Sequence, residues 1–357
     1  MSIQQLDKAL NTIMENNRTE VATLGEFGLI QHLTKNFEIH NASTVLGVGD
    51  DAAVIDHFGK QTVVSTDLLL EGIHFDLMYT PLKHLGYKSV IVNISDIYAM
   101  NAHPTAVTVS VGISNKVSVE ALDEFYEGVF AACEKYGVDL IGGDTSSSNK
   151  GFVISVTALG EVDTGKFVKR STAEIGDLIC VTGDLGAAFL GLTLMEREKR
   201  IYLENPAIQP DLEGQDYIVG RLLKPEARKD IIEFFEASEI TPTAMMDVSD
   251  GISSEVLHLC TQSGLGCRVH EDKLPIDDKS RMAAFKFGLD PTVCALNGGE
   301  DYELIFTLKQ ADYDKITLNE QISVIGYMVE AEEGRKFITK GGSTFDITAQ
   351  GWNAFGK

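Results

Sequence analysis

Six apolar runs along this chain each stop on an acidic residue, and that recurrence narrows what the chain can fold into. Val45-Leu46-Gly47-Val48-Gly49 ends on Asp50-Asp51, Val63-Val64-Ser65-Thr66 on Asp67, and Val90-Ile91-Val92-Asn93-Ile94-Ser95 on Asp96. Val138-Asp139-Leu140-Ile141-Gly142-Gly143 ends on Asp144-Thr145, Met245-Met246-Asp247-Val248-Ser249 on Asp250, and Cys294-Ala295-Leu296-Asn297-Gly298-Gly299 on Glu300-Asp301. Short β-branched runs of this kind read as strands that end at a sheet edge, and the small residues beside each acid leave room for a ligand to approach the backbone. One strand-end aspartate is usually a cap or a turn residue. Six together point to a site, because converging carboxylates repel one another unless cations sit between them. The expectation is a phosphate-handling centre with several Mg²⁺ ions, assembled at strand ends.

A chain of 357 residues is too long for one ordinary core and predicts two domains. Charged and glycine residues interrupt the apolar runs between Gly160 and Gly176, which divides the chain into 1–165 and 166–357. Before that boundary, residues 1–40 read as helical, with Phe27, Ile30, Leu33 and Phe37 close to one face. From Val45 to Ser114 the pattern is mostly strand, with one helical insert around Pro81–Lys88. A helix follows from the N-cap Ser118 to the stop at Gly137, then strands into Gly142-Gly143 and at Phe152–Leu159. After the boundary come a strand at Leu178–Thr182, a helix from Leu185 to Arg200, a loop over Leu203–Gly220 and a helix entered through Pro225. Helices at Ser253–Ser263 and Ser280–Phe287, and strands at Tyr302–Leu308 and Ser323–Met328, complete the reading. The class is α/β of the α+β type.

The balance of 30 basic and 53 acidic residues, a net charge of −23, disfavours nucleic acid and anionic membrane as partners. No window reaches the ~20 apolar residues of a membrane span, and the N-terminus carries no signal-peptide pattern. Five cysteines without a CxxC pair fit a reducing cytoplasm better than a disulfide framework or a zinc site. There is no P-loop. Gly47-Val48-Gly49-Asp50-Asp51-Ala52 imitates a dinucleotide fingerprint, but two acids would face the pyrophosphate and the following residues read as strands. Asp247–Gly251 lacks the ligand spacing of an EF-hand, and no G-x-S-x-G marks a serine hydrolase. Gly183-Asp184-Leu185-Gly186 ahead of a helix offers backbone N–H groups to a phosphate or is simply a tight turn; Asp184 argues for the turn.

What remains is acid, hydroxyl and glycine, and here a family likeness enters. Gly49-Asp50-Asp51, Ser65-Thr66-Asp67 with Glu71-Gly72-Ile73-His74-Phe75, Asn93-Ile94-Ser95-Asp96-Ile97-Tyr98-Ala99-Met100, Gly142-Gly143-Asp144-Thr145, Met246-Asp247-Val248-Ser249-Asp250-Gly251 and Gly298-Gly299-Glu300-Asp301-Tyr302 closely resemble the thiamine-monophosphate kinase family, within the aminoimidazole ribonucleotide synthetase superfamily. The likeness runs from Gly25-Glu26-Phe27 to Gly351-Trp352. It implies two domains, each a mixed sheet covered by helices. The first would bind ATP and Mg²⁺ and pair in a homodimer, and the second would complete the substrate cleft.

The same resemblance implies ATP-dependent phosphorylation of thiamine monophosphate to thiamine diphosphate, by direct in-line transfer in the cytoplasm. By motif, Asp51, Ser65, Thr66, Asp67, Asp96, Asp144, Asp247 and Asp250 would hold several Mg²⁺ ions. Tyr126, Gly143, Asp144, Arg170 and Ser249 would contact ATP, with Asp67, Asp96, Asp144 and Arg170 carrying the chemistry. His74, Glu300 and Trp352 would contact thiamine monophosphate; Trp352 is the only tryptophan, and a flat indole suits a cationic thiazolium ring. Asn101, His103 and the ending Asn353-Ala354-Phe355 depart from the family pattern. Other ATP-using members of the superfamily, or a non-catalytic nucleotide-binding protein on the same scaffold, are the alternative readings.

Overall fold

Alternation builds the first sheet. Along β3 (Lys60–Leu70), Gln61, Val63, Ser65 and Leu69 are buried, while Thr66 and Leu68 between them are exposed, so Asp67 shares a face with the buried set. The computed structural model describes residues 44–351 apart from 47, 48, 58, 115 and 116. Its first half contains β1 (Thr44–Leu46), β2 (Ala53–His57), β3, α1 (Leu82–Ala99), β4 (His103–Ile113), α2 (Val119–Tyr136), β5 (Asp139–Ser147) and β6 (Val153–Asp163). The strands lie in the order β1-β2-β3-β6-β4-β5, antiparallel except for the parallel pair β4–β5.

The second half contains β7 (Leu178–Thr182), α3 (Ala187–Glu204), α4 (Asp216–Leu223), α5 (Lys229–Ala237), β8 (Ala244–Asp247), α6 (Ile252–Ser263), β9 (Gly266–His270), α7 (Asp278–Lys286), α8 (Pro291–Asn297), β10 (Leu304–Leu308), α9 (Tyr313–Ile316), β11 (Ile322–Val329), β12 (Arg335–Ile338) and β13 (Thr344–Asp346). Its sheet runs β13-β12-β9-β11-β7-β10-β8, with only β9 and β12 parallel. Both sheets are mixed and carry helices, as the family likeness implies.

α1 joins the two sheets. It packs on β3 and β6 of the first and on β8 of the second, and nearly every residue from Leu85 to Ala99 is buried. Ile91 and Ile94 share one apolar cluster with Val63 and Val156 from the first sheet and Leu304, Phe306 and Phe235 from the second half.

That placement corrects one expectation. Val90–Ser95 is helical, not a strand, and the helix begins at Leu82. A helix buried on all sides is apolar on all sides and loses the periodicity that distinguishes it from a strand. Cys294–Asn297 is likewise the end of α8. The loop expected over Leu203–Gly220 gives way to α4 at Asp216, and the helix after Pro225 starts at Lys229. The caps of α2 are as read: the Ser118 hydroxyl accepts from the Ala121 N–H, and Gly137 turns out of the helix at φ 70°. The helix expected in 1–40 and the ending at Trp352 lie outside the described residues.

Candidate active site

Four aspartates converge where the sheets meet α1. Asp51 stands just ahead of β2, Asp67 on the core face of β3, Asp96 in the last turn of α1 and Asp247 at the end of β8. Carboxylate oxygens of Asp51, Asp96 and Asp247 lie within 4.8 Å of one another. Hydroxyls fix two of them: Ser65 Oγ donates to Asp96 Oδ2 at 2.5 Å, and Ser95 Oγ donates to Asp247 Oδ2 at 2.8 Å. Buried Asn93 accepts the Asp67 N–H at 3.0 Å and donates to the Ser89 carbonyl. The seemingly apolar helix therefore turns polar groups at 93, 95 and 96 toward the cluster.

Burial and mutual repulsion raise these acids. Asp67 is pushed up to about 6 by burial and by the charge of Asp247. Asp96 is held well above the usual carboxylate range by burial, Asp67 and Asp247, against the opposing Ser65 hydrogen bond. Burial also raises Asp247, opposed by Ser95 and Arg170. Arg170 answers them. Arg170 Nε donates to Asp51 Oδ2 at 2.6 Å, its terminal nitrogen meets the other oxygen, and its backbone N–H bonds Asp50. Asp50, pushed up to about 6 mainly by burial, joins the group. An all-oxygen donor set with more acids than bases suits Mg²⁺.

A second acidic turn borders the cluster. The Asp250 N–H donates to the buried Glu255 carboxylate at 2.8 Å, and Glu255 is raised well above the usual range by burial and by Asp250. Ser249 receives the Glu300 N–H at 2.7 Å, and Val248 receives that of Tyr302 at 2.9 Å. The approach depends on Gly299, where a Cβ would stand 2.3 Å from the Ser249 carbonyl oxygen. Glu300 and Tyr302 both take positive φ, 65° and 52°. Lys88 Nζ donates to Glu300 Oε2 at 2.9 Å. His74 accepts the Leu70 N–H at Nδ1; burial lowers its pKa, opposed by Glu300 and assisted by Lys88, so these three groups share one locale.

Other predicted residues are not gathered there in this chain. Register carries Asp67 through Val156 and Val109 to Gly143, three strand spacings away, or roughly 14 Å. Asp144 follows Gly143 and alternates to the other face, exposed on edge strand β5. Thr66 also faces away from the carboxylates and hydrogen-bonds the Val156 carbonyl and Thr157. Tyr126 on α2 packs its ring on Phe125 and Phe130. The Gly183–Gly186 turn is not an open phosphate cradle, since the Gly186 N–H donates to Asp301 at 2.8 Å. Trp352 lies outside the described residues. Sequence reasoning gave no role to Lys88, Asn93, Ser95 and Glu255, where the signal was a polar residue inside an apolar run, and named Asp50 only as one of the run-ending acids.

Residues 49–162 match the family described as AIR synthase related protein, N-terminal domain, and residues 174–338 match its C-terminal domain. A thiamine-monophosphate kinase of Aquifex aeolicus (strain VF5) is 35% identical over 90% of this chain and 98% of its own length. One from Bacillus subtilis (strain 168) is 32% identical over 93% of this chain and its full length. Among solved structures, "AaThiL complexed with AMPPCP and TMP" is similar with a TM-score of 0.80 and 31% identity, covering 95% of this chain and 99% of that one.

Proposed function

The chain belongs to the thiamine-monophosphate kinase family of AIR-synthase-related proteins, and from that premise we propose that it transfers the γ-phosphoryl group of ATP directly to the phosphate of thiamine monophosphate. An oxygen of the acceptor phosphate attacks the γ-phosphorus in line. The bond from that phosphorus to the β,γ-bridging oxygen breaks, and the products are thiamine diphosphate and ADP. The observation that carries this reading is the meeting of Asp51, Asp96 and Asp247 within 4.8 Å of one another, from distant parts of the chain, with Asp67 close enough to interact with the charges of Asp96 and Asp247.

Asp51, Asp96 and Asp247, with Asp67 and Asp250 beside them, would hold several Mg²⁺ ions. Bound there, the ions supply charge neutralisation for the phosphates and Lewis-acid polarisation. The chain's own contribution is positioning. Ser65, Ser95 and Asn93 fix the acids and their backbone, so little reorganisation accompanies charge movement. Arg170, already neutralising Asp51, is placed to answer charge developing on the transferred group. Glu300 and His74 would receive the cationic end of the acceptor. Trp352 would be a further contact of the acceptor.

Asp144, Gly143 and Tyr126 stand at the β5 side of the first sheet and would belong to an ATP subsite there, with Ser249, in the turn after β8, as a further ATP contact. We place that subsite in a domain of residues 1–165 that pairs in a cytoplasmic homodimer, with residues 166–357 completing the cleft. The test is direct. Protein mixed with ATP, MgCl₂ and thiamine monophosphate should form thiamine diphosphate and ADP in equal amounts. ADP formed without thiamine diphosphate, or no product at all, sinks the proposal.

A further inference from the structure

Lys88 on α1 keeps only 4% of its surface exposed. A buried ammonium is costly unless its donors are used. Here Nζ donates to the Leu222 carbonyl at the end of α4, at 3.1 Å, and to Glu300 Oε2 at 2.9 Å. Within the ion pair the lysine side chain is 5% exposed and the glutamate 29%, so the cation lies on the core side and the carboxylate on the open side.

The backbone beneath Glu300 is held as well. A residue other than glycine persists at φ 65° only when its surroundings fix it, and the Glu300 and Tyr302 N–H groups are tied to Ser249 and Val248. Two independent restraints, one on the main chain and one on the side chain, therefore immobilise a single carboxylate. Lys88 and Ser95 are seven residues apart on one face of α1, about 10 Å along its axis. The rigid helix that orients Asp247 through Ser95 thus also sets the distance to Glu300 through Lys88.

We propose that Lys88 is a positioning residue that determines affinity for the acceptor: it holds the Glu300 carboxylate toward the cleft, where that carboxylate meets the cationic ring of the substrate. The proposal rests on the functional reading above. Steady-state kinetics on the wild-type protein, Lys88→Met, Glu300→Gln and the double variant test it. Losing a supporting partner of this kind costs roughly 10- to 100-fold, so Lys88→Met raises KM for thiamine monophosphate about tenfold and moves KM for ATP less than about twofold. The double variant is then no worse than Glu300→Gln alone, because residues acting as one unit are not additive.

An unchanged KM for thiamine monophosphate, a parallel rise in KM for ATP, or effects that multiply in the double variant would overturn it. Should Lys88→Met not fold, Lys88→Gln replaces it and keeps a donor for the Leu222 carbonyl. A crystal structure of the Lys88 variant is the second readout. A Glu300 carboxylate turned away from its native orientation supports the proposal, and one left unmoved overturns it. Absence of thiamine diphosphate with the wild-type protein defeats the functional reading, while the crystal structure still decides the role of Lys88.

Discussion

Two of the places where this protein buries charge are built differently. Around Glu303, Arg228 Nη1 lies 2.5 Å and Arg221 Nη2 3.0 Å from the carboxylate, and the Thr182 hydroxyl donates at 2.6 Å. Arg228 also takes Asp230 through two nitrogens, at 3.0 and 2.7 Å. Around Asp96, by contrast, stand Asp50, Asp51, Asp67 and Asp247 with Asp250 nearby, and the arginine beside them, Arg170, meets Asp50 and Asp51. A buried acid whose oxygens are taken up by two arginines and a hydroxyl is a paired arrangement that holds elements together. A buried group of acids with one base between them is unfinished, and polycationic or metal-bound ligands complete it. The ratio of acids to bases, more than burial itself, marks the second cluster as the site.

Three experiments can break or sharpen that contrast. The largest effect belongs to Asp96→Asn. Losing one ligand of a charge-neutralising centre removes several kcal/mol of transition-state stabilisation, so turnover drops by roughly 10³-fold or more. The melting temperature should hold or rise, because the change relieves repulsion from Asp67 and Asp247. Turnover at the wild-type level in Asp96→Asn would remove that carboxylate from the chemistry.

Next comes Glu303→Gln, which strands two largely buried arginines. Breaking one partner out of a buried ion network costs about 3–5 kcal/mol, measurable by urea denaturation. A loss under about 1 kcal/mol would mean that the network is no tie at all, and the contrast with the aspartates would fail.

The smallest effect is a pH dependence of stability. Asp50 and Asp67 titrate near 6 in the folded chain, against about 4 when unfolded. The folded protein thus keeps protons that the unfolded chain has released. Metal-free stability falls as pH rises between those values and stays low above them. MgCl₂ should raise the melting temperature by several degrees near pH 7.5 and by much less near pH 4.5, where protons compete for the same oxygens. An equal gain at both pH values would place the ion elsewhere.

Much of the site was readable from residue order. Asp51, Asp67 and Asp96 were identified from where they fall after apolar runs and Asp247 from inside one; the structure brings Asp51, Asp96 and Asp247 together, with Asp67 beside them. Yet Asp96 was found for a mistaken reason. Its run is a helix, and the residue faces the cluster because of helical phase relative to Ser95 and Asn93, not because a strand ended there. Asn93 and Ser95 were hidden by the same error. Lys88 was invisible because a lysine in sequence reads as solvated; only its position between α4 and Glu300 reveals it as buried.

The order of residues by itself determined the class of chemistry: oxygen donors, small residues beside them, and too few bases to balance the acids. Those are local properties of composition and spacing, and folding does not change them. The tertiary structure decided which acids meet. Strand alternation turns Asp67 inward and leaves Asp144 on the far face, and the sheet order sets two strands between them. Packing α1 between two sheets brings Asp247, some 150 positions after Asp96, into hydrogen-bond reach of Ser95. Contacts over such sequence distances depend on register and packing geometry, which no single segment encodes.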